Sequence, residues 1–181
     1  GARPEQVAAH LLHVPPAADS GVVAVLREAA RRARSRGAPD SAVAYLRRAL
    51  AEPPVASERA DLLLELGSAE TLLSGEAAAE HLREAHGLIH DPERRAAAAA
   101  LLGTQLFYLH RLDESVAVFT HALDELGGGD AERERLLEAG LISAGLFRPR
   151  PQDEVLGRLE RVRSRGGDPD LRGCHRLARP V

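Results

Sequence analysis

His86 and His90 stand four residues apart, with Asp91 beside them and His81 one turn and a residue earlier, a spacing that could begin a metal site. Histidines at i and i+4 share a helix face, and zinc needs ligands converging at about 2.0 Å. No H-E-x-x-H motif is present, and histidines at a helix C-terminus also suit the negative end of the helix dipole. His10 and His13, three apart, share a face of a short helix. Arg27, Arg31 and Arg34 recur at three- and four-residue spacing, so one helix face could clamp a carboxylate or phosphate. Phe107 and Tyr108 are adjacent and could anchor an apolar or peptide ligand. The plainer alternative makes the arginines a solvated face and the aromatics packing between helices.

Other reactive residue types lack the company that catalysis needs. Cys174-His175 has no partner pattern for a Cys/His nucleophile. The carboxylate pairs Asp113-Glu114 and Asp124-Glu125 fall where charge patterning puts acids at helix ends, with no nucleophile motif nearby. All 24 basic residues are arginine. A Walker A loop and a Schiff base both require lysine, so neither chemistry belongs to this segment. The expectation is a non-enzyme without cofactor or metal.

Composition bounds the setting. The chain has 181 residues, 44% of them hydrophobic and 3% aromatic, enough for one domain with a core of Leu, Ala and Val. Lys, Asn, Met and Trp are absent and only Ile89 and Ile142 represent isoleucine. The missing residues mostly have AT-rich codons, which suggests a GC-rich, actinobacterium-like genome. A lone cysteine excludes an internal disulfide and makes the cytoplasm the expected compartment. No apolar run nears the roughly 20 residues that span a bilayer, and the start lacks a signal-peptide pattern. The lack of methionine even at position 1 suggests a piece of a longer chain.

Formal charge runs +3 over residues 1 to 53, −10 over 54 to 146 and +4 over 147 to 181. Non-specific nucleic-acid binding wants one continuous basic face, which this pattern does not offer. The Arg27 to Arg36 stretch could compete for DNA, but it lies within a repeat and no helix-turn-helix is recognisable.

The elements that must position these residues announce themselves as a repeat. The spacing A-x3-[large]-x2-A occurs as Ala42, Leu46, Ala49, then Ala78, Leu82, Ala85, then Ser115, Phe119, Ala122, with a degenerate copy at Val155, Leu159, Val162. Ala30, Gly67, Gly103 and Gly140 precede the copies at matching offsets. A period of about 36 residues is the mark of stacked helix pairs, none of which buries its apolar face alone. Small residues let the backbones approach, while Leu46, Leu82, Phe119 and Leu159 fill the gaps.

Capping and breaking signals place the helices within one repeat domain, 1 to 181. A preceding helix runs from Pro4 to about Val14 and is stopped by Pro15-Pro16. The pairs occupy 22–54, 57–90, 92–127 and 131–165, and a short tail occupies 168–181. Ser57 is an expected N-cap, Gly37 a terminator, Asp91-Pro92 an opening and Gly127-Gly128-Gly129 a stop. A last short helix is expected to begin at Asp168-Pro169.

This arrangement resembles the tetratricopeptide repeat, whose pattern includes Leu-Gly in the first helix, A-x3-F-x2-A in the second and a closing proline. The first and third copies match well, with Pro54 closing the first; the second is one residue short, and valines replace both alanines in the fourth. The resemblance implies an all-α fold, a right-handed α-solenoid. Longer stretches, VAAHLL at 7–12, VVAVLREAARRARSRGAPDSAVAYLRRALAEPP at 22–54, LLLELGSAE at 62–70, AAEHLREA at 78–85 and RLDESVAVFTHALDEL at 111–126, look like the central region of large LuxR-type transcriptional regulators. There an ATPase module precedes the helical repeats and a helix-turn-helix domain follows. The likeness extends to about Pro149.

The resemblance implies a non-catalytic region that senses a protein or small-molecule inducer on its concave face and couples it to self-association of the ATPase. A stand-alone adaptor for a peptide or protein is the alternative. Aligning the repeats puts Ala24, Arg27, Arg31, Arg34 and Ser35 on that face, then Asp61, Leu64, Ser68 and Thr71, then Ala97, Thr104, Phe107 and Tyr108, then Glu134, Leu137 and Leu141. Candidate partner contacts are Arg27, Arg31, Arg34, Ser68, Thr104, Phe107 and Tyr108. The lysine and asparagine clamp by which some tetratricopeptide domains hold chaperone C-termini has no counterpart, since both residue types are missing. Exposed repeat ends predict a homodimer, and no nucleic acid or membrane is expected as a direct partner.

Overall fold

The computed structural model describes residues 4–52, 55–127, 130–149 and 153–165. Their regular structure is entirely helical: α1 Pro4–Leu11, α2 Ser20–Ser35, α3 Pro39–Ala51, α4 Ala56–Glu70, α5 Gly75–Leu88, α6 Pro92–Tyr108, α7 Leu112–Leu126, α8 Ala131–Leu146 and α9 Asp153–Arg165. The expected helix at Asp168-Pro169, Cys174-His175 and the breaks at Pro53-Pro54 and Gly128-Gly129 lie outside the described residues.

Local chemistry fixes most of these boundaries. The Asp19 carboxylate accepts from the Gly21 N–H at 2.7 Å and opens α2, and Asp91 does the same for α6 through Arg94 at 2.8 Å. Asp130 accepts from the N–H groups of Glu132 and Arg133 at the start of α8. Pro39 and Pro92 occupy first-turn positions, where their missing N–H costs no helical bond. Gly127 ends α7 at φ 58.

Two boundaries differ from expectation. The N-cap of α4 is Val55, so Ser57 falls inside the first turn and is not the cap. α1 stops at Leu11 rather than Val14, because the Arg48 guanidinium draws the Leu11 and Val14 carbonyls to itself.

Each helix from α2 to α8 packs on its neighbours in sequence, most tightly within the pairs α2/α3, α4/α5 and α6/α7. α6 also reaches α8, while α1 covers α2 and α9 rests on α8. The repeated small and large positions make the joints. A Cβ on Gly67 would lie 2.7 Å from Leu82, and one on Gly103 2.7 Å from the Phe119 ring. In the last pair the buried filler is Val155, set against Gly145, while Leu159 is only half-buried. Leu137 and Leu141, expected on the concave face, are core residues that pack with Phe119.

Candidate functional site

Two of the three candidate arginines of α2 are held in ion pairs. Arg27 donates to Glu65 of α4 through Nε at 3.2 Å and through its terminal nitrogen at 2.5 Å, and Arg31 binds Glu28 within its own helix. Only Arg34 of the three keeps its side chain in solvent without a charged partner among the described residues. The Arg27 pairing belongs to a series. Asp61 of α4 meets Arg94 of α6, and Glu93 of α6 lies 3.6 Å from Arg133 of α8. Charges of opposite sign thus join the first helices of all four pairs in order.

The aromatic end carries polar groups but no charge. Thr71 and Leu72 at the end of α4, with Leu101, Thr104, Gln105 and Tyr108 of α6, line a cavity of about 440 Å³. A second hollow of about 180 Å³, lined by Thr104, Phe107, Tyr108, Phe119, Gly140 and Ser143, shares Thr104 and Tyr108 with it. Phe107 holds an edge-to-face contact with Tyr108 at 5.7 Å and another with Phe147 at 5.3 Å, which fixes the ring positions. Leu72 is 87% exposed and Tyr108 69%, so the rim presents apolar surface to solvent. No charged residue lines either hollow.

Of the candidates, Thr104, Phe107 and Tyr108 come together here, while Ser68 lies one turn away and gives its carbonyl to Thr71. A cavity of about 460 Å³ at the start of α8 is lined by Asp130, Glu132, Arg133 and Leu136. Two of its charges are already committed, since Asp130 caps the helix and pairs with Arg133 at 2.8 Å. The hydrogen bonds from the Arg133 N–H and from Glu132, with the nearby guanidinium, outweigh desolvation and hold the Asp130 carboxyl below its usual range.

The histidines do not converge. His81 faces Glu70 at 2.6 Å, a carboxylate 1% exposed that also binds Arg47 of α3 at 2.7 Å. Glu70 therefore ties α4 to α3 and α5 at once. His86 is partly buried, and desolvation, followed by the charge of Arg95, pushes its imidazole below the ordinary value. Among the described residues no three His, Cys, Asp or Glu side chains are grouped to hold a metal ion. Asp113 pairs with Arg148 and Glu114 with Arg111, so those acids serve ion pairs. No described helix is long and apolar enough to cross a membrane.

No family model and no curated protein matches the chain. The site therefore rests on its own residues, and several were missed from sequence. Leu72 and Leu101 were not singled out by the repeat spacing. Gln105 fell outside the repeat-derived inward positions, although it and Thr104 are the polar side chains in the otherwise apolar run from Ala96 to Leu109. That isolated polarity was the available signal.

Proposed function

We propose that this chain is the non-catalytic ligand-sensing or protein-interaction region of a LuxR-type, ATP-dependent transcriptional regulator, built as a right-handed α-solenoid of tetratricopeptide-like pairs. The observation that carries the sensing role is the uncharged hollow between α6 and the turn that follows α4, rimmed by Leu72, Leu101 and Tyr108. The resemblance in sequence supplies the regulator. The charge series from Arg27 to Arg133 supports a stacked array, because it links first helix to first helix without skipping a pair. In this reading a ligand in the hollow touches two neighbouring pairs and so shifts the angle between them. That change passes to an ATPase module and a DNA-binding module of the same cytoplasmic polypeptide, with self-association of the protein as the output.

An antibody against this segment, applied to a lysate of the source organism, tests the assignment by mass. A native polypeptide several-fold heavier than 19.4 kDa is the expected result. A native band near 19.4 kDa overturns it and leaves the stand-alone adaptor.

A further inference from the structure

We propose that the hollow lined by Thr71, Leu72, Leu101, Thr104, Gln105 and Tyr108 binds an uncharged small molecule with an apolar body and one hydrogen-bond donor, received by the Gln105 carboxamide oxygen. This names the ligand class for the sensing role proposed above and rests on that reading. Gln105 is 4% exposed in the last turn of α6, an expensive place for an amide without partners. Its Nε2 donates to the Gly75 carbonyl at 3.3 Å, which fixes which way the carboxamide faces. No described residue donates to Oε1, and that oxygen is not among the buried side-chain atoms sealed away without a partner. It therefore opens on the hollow that the side chain lines.

Gly75 makes the seat possible. A Cβ there would lie 2.8 Å from Gln105 Nε2 and 3.0 Å from Leu109. The second fixed polar group is also an acceptor, because the Thr71 hydroxyl gives its hydrogen to the Ser68 carbonyl at 3.1 Å. A donor on the ligand meets these two fixed acceptors, while the Thr104 and Tyr108 hydroxyls of the same lining can turn to donate or accept. With no lining charge the ligand must be neutral, since an ion would lose its hydration without compensation. The volume of about 440 Å³ lies within the range of small-molecule sites, and two isolated acceptors do not form the row that an extended peptide would use.

The probes are aminoanthracene, which is flat, apolar and carries an N–H donor, and methylanthracene, which lacks the donor. Fluorescence titration of the protein should give saturable one-to-one binding of aminoanthracene. Gln105→Leu should weaken aminoanthracene about tenfold, the size expected for one buried hydrogen bond, and leave methylanthracene unchanged. Leu72→Arg, at a position too exposed to disturb folding, should weaken both probes; Leu136→Arg, outside the hollow, should weaken neither. Absence of saturable binding to the unaltered protein overturns the proposal, as does equal loss of both probes in Gln105→Leu. If Gln105→Leu does not fold, unchanged binding in Leu72→Arg overturns it instead. Failure with a heavy native polypeptide removes the ligand class and leaves the regulator, whereas binding by a 19.4 kDa native protein does the reverse.

Discussion

The Phe119 ring fills the space that a side chain on Gly140 would need, even though the two residues belong to different helix pairs. The same ring also abuts Gly103, so one aromatic side chain sets the approach of α6, α7 and α8. Beside it, the buried Ser115 hydroxyl donates to the Gly103 carbonyl at 2.7 Å and holds α7 on α6. Gly140→Ala is expected to destabilise the protein. Overpacking costs about 1–3 kcal/mol, which exceeds the roughly 1 kcal/mol that alanine gains over glycine in a helix. Adding Phe119→Leu should recover part of that loss, which a double-mutant cycle measures. Gly87→Ala, where a Cβ meets nothing within 4 Å, should instead raise Tm. Equal effects of both alanines in thermal unfolding would refute the packing account.

Arg48 and Glu52 form a second inter-element clasp. Their ion pair, 2.9 Å long and nearly buried, sits under the segment between α1 and α2. Glu52 accepts from the Ala17 and Asp19 N–H groups at 2.8 and 3.2 Å, while Arg48 donates to the Leu11 and Val14 carbonyls. Burial pushes the Glu52 carboxyl up, but those amide bonds and the guanidinium outweigh it and leave it ionised at neutral pH. Glu52→Ala should release the segment and speed its cleavage between Leu12 and Ser20 by a broad-specificity protease several-fold. Unchanged cleavage with unchanged Tm would show that the clasp does not restrain it.

His110 follows α6 at φ 59, a left-handed conformation that a side chain disfavours. The turn needs it, because the Arg111 N–H bonds back to the Leu106 carbonyl at 2.9 Å and closes the helix end. His110→Gly should therefore stabilise by about 1 kcal/mol, the typical cost of a non-glycine residue there. In thermal unfolding this appears as a Tm about 2–4 °C higher. A lower Tm would point to a contact of the imidazole that outweighs the strain.

His86 gives stability a pH dependence of fixed sign. Its folded-state pKa lies below the unfolded value, so the unfolded chain takes up a proton first as pH falls. The contribution is complete above about pH 6.5, the ordinary imidazole value, and is lost as pH falls through the folded pKa. His86→Gln should flatten the fall of Tm between about pH 7 and pH 5 relative to the unaltered protein. A parallel pair of curves would contradict this. Glu52, Glu114 and Asp130 are also held low, so their contribution fades only in the carboxylate range below about pH 4.

What the sequence determined by itself was local. Asp19, Asp91 and the prolines at 39 and 92 set helix starts, because capping bonds reach only two or three residues. The recurring Gly67, Gly103 and Gly140 against Leu82 and Phe119 was legible too, since a missing Cβ opposite a large side chain is a steric requirement written into the period. Tertiary structure alone decided which faces meet. Arg27 finds Glu65 thirty-eight residues away, and Leu137 and Leu141 turn into the core, because the angle between helix pairs selects which side of each helix faces a neighbour. For the same reason Gln105 lines a hollow made partly by the turn after α4, a contact that no spacing within α6 could reveal.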